Sequence, residues 1–371
     1  MSKTEFGVNH PLAVKVWSKQ LAAEAYRKTY IGKFIGKGED SLIQEKVDLK
    51  KSAGDKITCG LNVQLQGDGV QGDSTLEGNE EALQFYDDSV IVDQLRHATR
   101  SKGKMSEQRV PYNIRNTGKD RLADWWARRM ETSFFNQICG YTAATDTRFT
   151  GNNAVTAPTS NRILRGGNQS DDQSITSGDP FLLQHIDVAR ERAETSSTEN
   201  DTGPLIRPIR YMGDDYYVMF LHDHQVTSLR TDAATAGNWV DIQKAAMQGG
   251  DVRDNPIFTG ALGVYNGVIL HKSNYVTQGV HSSTGAAVAN TRRAVLCGAQ
   301  SATIAFGSEN GATRYSWKEE LFDYGNQLGV SAGSIYGLKK TKFTPADDSA
   351  TNAEDFGTIV VTTYATAATP T

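Results

Sequence analysis

Large apolar residues recur at every fourth position from Leu122 through Trp126, Met130 and Phe134 to Ile138, and Trp125 and Phe135 widen the stripe. That spacing returns to one face of an α-helix at each turn, so it predicts a helix over about residues 114–141, with Lys119, Arg121, Arg128 and Arg129 placed around the stripe. At 1.5 Å per residue, about 28 residues would extend roughly 42 Å, longer than the usual globular helix. Upstream, Asn9-His-Pro11 supplies a cap and an early proline before the helix-forming run Leu12 to Tyr30, which breaks at Gly32, Gly36 and Gly38. Ser41–Leu49 reads as extended. Lys56–Gln66 alternates as a strand does, Gly67–Asp73 reads as a turn, and Phe85–Leu95 returns as a second strand. A long β-hairpin or extended loop is the expected result.

Residues 142–180 are poor in large apolar side chains and rich in Thr, Asn, Ser, Gly and Asp, which predicts a long surface loop. Asp179-Pro180 then opens a helix over Phe181–Glu194. In the second half, short strands (Leu205–Tyr211, Tyr216–Leu221, Gly267–His271, Ala294–Cys297, Thr358–Tyr364) alternate with short helices (Asp223–Thr231, Trp239–Met247), and Gly249-Gly250 makes a helix stop. The content is α+β, with no regular βαβ repetition and no internal repeat.

At 371 residues, the chain can hold two cores or one core with large insertions. It is 38% hydrophobic and 22% charged, with a formal net charge of −4, which argues against a general DNA-coating protein. Cys59, Cys139 and Cys297 are widely separated and form no CxxC pair, so a reducing cytoplasm is expected. No membrane span or signal peptide is expected either.

Charge is distributed unevenly along one stretch. Between Gly67 and Asp93 there are eight acidic residues and no Lys or Arg, whereas Arg96 to Arg129 holds ten Lys/Arg against three acids. The candidate contact residues are Asp68, Asp73, Glu77, Glu80, Glu81, Asp87 and Asp88 on the acidic side, and Arg115, Lys119, Arg121, Arg128 and Arg129 on the basic side. The basic run reads as a phosphate-binding surface, as a partner for acidic surface on another subunit, or as a solvated helix face. The adjacent acidic stretch favours pairing between copies of the chain.

Candidate chemistry is sparse. His222-Asp-His224 could present two imidazoles to a metal, with His271 and His281 to complete a hydrolase site, and this is the alternative reading. Against it, the segment sits where a strand passes into a helix, with Asp223 as the expected cap. Gly260-x-x-Gly263-x-x-x-Gly267 precedes a strand and not a helix, so tight turns explain it better than phosphate binding. Asp87-Asp88, Asp171-Asp172 and Asp347-Asp348 are expected to be solvated loop or strand-edge residues. No catalytic residue, cofactor or metal ligand is assigned.

Several segments resemble tailed-phage major capsid proteins, most closely the branch typified by the coat protein of phage N-four. They are FGVNHPLAVKVWSKQL (6–21), TLEGNEEAL (75–83), DQLRHATRSKGKMSEQRVP (93–111), LADWWARRMETSFFNQI (122–138), DNPIFTGALGVYNGVILHKS (254–273), and Trp317–Phe343 with Asp323-Tyr-Gly325 and Gly337-Leu-Lys-Lys340. The resemblance implies the Hong Kong 97 coat fold. It would place an N-terminal arm at 1–37, an extended loop region at 38–100, a peripheral domain at 101–204 with its spine helix near 113–141, an axial domain at 205–300, and a C-terminal segment at 301–371 returning to the periphery. It also implies hexamers and pentamers of the chain in an icosahedral shell around double-stranded DNA, assembled in a bacterial host cytoplasm. Portal, scaffolding and decoration proteins would be the other partners, and no membrane is involved. On this reading the acidic loop reaches across the basic helix of a neighbouring subunit. A tail-tube or decoration subunit is disfavoured by the long helix.

Overall fold

The structure is a computed structural model. It describes residues 11–47, 54–62, 69–72, 74–78, 80, 85–109, 113–199, 205–211, 213–231, 261–307, 314–343 and 353–367. The expected helix at 239–247 and its glycine stop lie outside the described residues.

The long helix spans Ile114–Ile138, and Leu122, Trp126, Met130, Phe134 and Ile138 are all buried, as their spacing requires. Asn113 caps its start: the side-chain oxygen accepts the Arg115 and Asn116 N–H groups at 3.0 and 3.3 Å. The helix stops three residues short of Tyr141 because Gly140 adopts φ +63°. Gly140 N–H then donates to the Gln137 carbonyl (3.1 Å) and Tyr141 N–H to that of Asn136 (3.0 Å), closing a Schellman motif. The N-terminal helix, Pro11–Lys28, follows its proline signal and is tied to the long helix by Lys28–Asp124 (2.9 Å) and Lys119–Glu24 (2.8 Å).

The long helix lies on a sheet organised by one strand, Gln327–Lys340. This strand pairs antiparallel with Ala302–Phe306 and Ser316–Phe322 along one edge and with Asp93–Arg100 along the other. Ile43–Lys46 adds in parallel beyond Ala302–Phe306. Strand alternation divides its side chains. Val330, Ala332, Tyr336 and Leu338 join the core around Trp126, whereas Ile335 turns to the other face and packs with Ile57, Val90 and Val92. There the expected hairpin crosses: Lys56–Asn62 pairs antiparallel with Phe85–Ile91.

The second sheet runs in the order Ile163–Arg165, Thr358–Tyr364, Thr291–Cys297, Asp214–Leu221, Val268–Lys272, Gly263–Tyr265. It is buried on both faces. Val218, Phe220, Ile269, Val295 and Val360 feed the core shared with the long helix. Tyr217, Met219, Leu221, Leu270, Leu296 and Val361 feed a second core beneath the helices Leu183–Glu199 and Asp223–Thr231.

Two expectations change. The single strand expected at Phe85–Leu95 is two, Phe85–Ile91 and Asp93–Arg100, with different partners. The Asn153 side chain satisfies both Ile91 N–H (2.9 Å) and Ile91 C=O (3.0 Å) at the break, so the chain can change partners there. Second, the stretch 142–180 is not simply a surface loop, because Thr150, Asn153, Arg162 and Asp172 are buried. Thr358–Tyr364 and Ile163–Arg165 both join the sheet containing Asp214–Leu221.

Asp172 is also no solvated loop residue. Its carboxylate meets the buried Arg293 guanidinium at 2.6 Å, Arg165 Nε at 2.9 Å and the Val280 N–H at 3.0 Å. Burial raises its affinity for a proton, but Arg293, Arg165 and the Val280 amide outweigh that and hold the carboxyl below its ordinary range. Because the folded value is depressed, its stabilisation is present above about pH 4 and is lost as pH falls further. Asp172→Ala would leave two guanidinium groups without their counter-ion, one of them deeply buried, and is expected to cost about 3–5 kcal/mol in urea unfolding. A loss below about 1 kcal/mol would contradict this role.

Candidate assembly surface

The described residues of the two charge groups have different ion-pair partners. Asp68, Asp73 and Glu81 lie outside the described residues, and the Asp87 side chain is not described either. Glu77 and Glu80 are exposed, and the Glu80 carboxylate accepts only its local Gly78 N–H, at 2.7 Å, among the described residues. Asp88 is held within the subunit, ion-paired to Lys339 and accepting Lys342 N–H at 3.0 Å.

Most of the helix cations are also engaged within the subunit. Arg115 forms a two-pronged pair with the buried Glu319 carboxylate, its Nε 2.7 Å from Oε1, while Trp317 Nε1 donates to the same oxygen at 2.8 Å. Lys119 is bound to Glu24, and that hydrogen bond raises its pKa. Arg121 is exposed, 3.5 Å from Asp124. Arg129 donates to the Arg148 carbonyl at 3.2 Å and lies over the Phe149 ring at 3.9 Å. Arg128 is exposed. The helix thus uses Arg115 and Lys119 to hold the sheet and the N-terminal helix. Among its five candidates, Arg121 and Arg128 are the ones most available to a partner.

Two cations outside the candidate set stand on a different surface. On the edge strand Asp93–Arg100, Leu95 and Thr99 are half-buried and His97 stacks on Trp125 at 4.6 Å, while Arg96, Ala98 and Arg100 alternate onto the opposite face and are exposed. Register sets Gly333 between Ser316 and Arg96, Ser331 between Lys318 and Ala98, and Gly329 between Glu320 and Arg100. Arg96 lies flat over Gly333, where a β-carbon would sit 2.9 Å from its Cγ, and Phe322 covers Gly329 in the same way. The Arg100 guanidinium is 4.0 Å above the Phe322 ring. The i, i+2, i+4 alternation of Arg96, Ala98 and Arg100 was visible in the sequence, but only after the strand was separated from Phe85–Ile91.

The histidines have local roles. His222 caps the helix Asp223–Thr231: its Nδ1 accepts His224 N–H at 3.1 Å, and its own N–H donates to Gln225 Oε1 at 3.0 Å, a capping box with Gln at the third helical position. The cap is therefore His222 and not Asp223. His271 meets the Tyr30 hydroxyl at 2.5 Å, and His281 Nδ1 accepts Ser283 N–H at 3.2 Å. Among the described residues, no group of three or more His, Cys, Asp or Glu is arranged to hold a metal ion. Gly267 closes the two-residue Asn266-Gly267 hairpin, both residues at positive φ, which accounts for the glycine before the strand.

A profile of the phage capsid protein family matches residues 5–367. The chain belongs to the phage capsid protein family. The major capsid protein of Pseudomonas phage KPP25 is 31% identical over 93% of each chain. The capsid of Ralstonia phage GP4 is 35% identical, covers 100% of both chains and superposes with a TM-score of 0.78. The cyanophage Pam1 capsid has the same fold at 21% identity and a TM-score of 0.65, covering 91% of this chain and 93% of that one. The fold is thus of the Hong Kong 97 type, and the chain is a major capsid protein of a tailed phage.

In this capsid protein, burial, and secondarily the nearby Arg292, lowers His222 from its ordinary 6.5 to about 4. The unfolded chain takes up this proton first, so stability falls as pH drops from about 6.5 towards 4. Asn is a strong cap that does not titrate. His222→Asn is expected to unfold within about 0.5 kcal/mol of the parent at pH 7.5 and to lose less stability between pH 6.5 and 4. Parallel pH profiles for the two proteins would contradict the assignment.

Proposed function

We infer that this chain builds an icosahedral shell from hexamers and pentamers of itself around packaged double-stranded DNA, in the cytoplasm of a bacterial host. The observation that carries this reading is the end-to-end correspondence with the Ralstonia phage GP4 capsid. In this reading residues 1–37 form an arm, 38–100 an extended loop region, 101–204 a peripheral domain on the long helix, 205–300 an axial domain, and 301–371 a C-terminal segment. The axial part also draws in Ile163–Arg165 and Thr358–Tyr364. Portal, scaffolding and decoration proteins are the further partners. The role is structural, with no catalytic residue.

The acidic stretch 67–93 is the proposed contact with a neighbouring copy. Opposite charges set register between subunits more than they add affinity, and many modest contacts let a misplaced subunit leave. Purified protein examined by negative-stain electron microscopy and sedimentation over a range of salt and concentration should give shells, rings or capsomers. Only small oligomers under every condition would contradict the reading. Glu77→Lys with Glu80→Lys should impair assembly and leave the folded monomer intact. Asp88 is a poor site for such a test, because its reversal would break the Lys339 pair inside the subunit.

A further inference from the structure

We propose that Asn152 and Asn153 set the angle at which the hairpin Lys56–Asn62/Phe85–Ile91 leaves the subunit, and through that angle the curvature of the shell. The proposal rests on the capsid reading above and concerns only the root of the hairpin, around Ile91.

The first observation is what ends the sheet edge. Asp93–Arg100 pairs with the long strand only as far as Asp93 opposite Tyr336. Beyond that point the segment 151–153 takes the edge. Leu338 N–H donates to the Gly151 carbonyl at 2.8 Å, and Asn153 Nδ2 donates to the Leu338 carbonyl at 3.3 Å. Gly151 has φ +70°, and a β-carbon there would sit 2.5 Å from that of Leu338, so this close approach needs glycine. With the edge occupied, the chain before Asp93 has to leave the sheet. It does so across Gly337, where a β-carbon would collide with the Ile91 carbonyl.

The second is what holds the root. One buried side chain, Asn153, satisfies both backbone groups of Ile91. Asn152, at φ +64°, donates to the carbonyls of Asp93 at 3.2 Å and Tyr336 at 2.7 Å. Val92 N–H donates to the Asp55 carbonyl at 2.8 Å, which ties the start of the hairpin's other strand to the same place. No glycine lies between Gly78 and Gly103, so this side of the root has no glycine hinge.

The third is that the clamp is anchored on the long helix. Buried Gln137 donates through Nε2 to the Thr150 and Asn153 carbonyls at 2.7 and 3.0 Å, and Asn136 donates to the Phe149 carbonyl at 2.9 Å. Hairpin root and helix end are thus joined through one short segment by a connected set of hydrogen bonds. The rotation between neighbouring copies decides whether a ring closes. A projection that reaches a neighbour turns an error in its root angle into an error in that rotation.

The test disturbs the root in two independent ways and compares both with a control elsewhere. Asn153→Ala removes the clamp, and Gly337→Ala pushes the Ile91 carbonyl off the long strand. Val360→Ala instead opens a gap at a buried site in the second sheet. Electron microscopy should show shells of mixed diameter or open sheets for the two root variants, and shells of the parental diameter for the control. Hydrogen exchange on unassembled Asn153→Ala subunits should rise about tenfold or more at residues 90–94 and stay unchanged at 293–297. Parental shells from either root variant would overturn the proposal. So would equally irregular shells from Val360→Ala, which would trace the defect to lost stability alone. If neither root variant folds, the parent decides: its 90–94 amides should exchange at least about a hundredfold slower than free chain. Exchange there at free-chain rates would overturn the proposal while the capsid reading stands. If the parental protein forms no shells or capsomers, the capsid reading fails and this proposal with it.

Discussion

The Arg293 guanidinium is the point at which the parts of this subunit are fixed to one another. It donates to the Cys139 and Gly140 carbonyls at 3.1 and 2.7 Å, at the end of the long helix, and to the Asp172 carboxylate at 2.6 Å. Its own strand, Thr291–Cys297, runs through the middle of the second sheet. A cation here meets the negative end of the helix and satisfies carbonyls that the Schellman turn leaves open. Burying both charges is costly, and the cost is offset only because nearly every donor and acceptor is matched. Helix, 142–180 segment and second sheet are thus joined by one buried pair in addition to the shared core, with Val280 and Arg165 drawn in by the same carboxylate.

That rigid body determines where assembly contacts can form. The long helix spends its apolar stripe on the core and its charges on Glu319 and Glu24, so the feature that dominates the sequence is largely turned inward. Exposed charge of opposite sign is found at Glu77 and Glu80 and, on the far side of the sheet, at Arg96 and Arg100. A shell made from one sequence needs its subunits rigid and its connections adaptable, and this division separates the two roles.

How much of this could be read from the chain depends on the range of the interaction. The long helix, the N-terminal helix and the Asp223–Thr231 helix follow from local spacing and caps, and they were legible. So was the hairpin, whose strands carry clear alternation on either side of a glycine turn. The long strand Gln327–Lys340 was not, because its glycines and serines weaken any apolar pattern and its partners are distant in sequence. Asp172 and Asn153 looked like ordinary loop residues, since nothing local announces a carboxylate or amide buried against residues more than a hundred or about sixty positions away. Charge runs were visible as composition, but composition does not say which arginines alternate onto a free sheet face and which are already paired.

The acidic segment of one subunit is proposed to lie against the next copy in the shell. Cryo-electron microscopy of the assembled shell tests it most directly. Density for the segment around Glu77 and Glu80 is expected within about 4 Å of basic side chains of the adjacent copy. The same segment facing solvent, with no contact to a neighbouring copy, would contradict it.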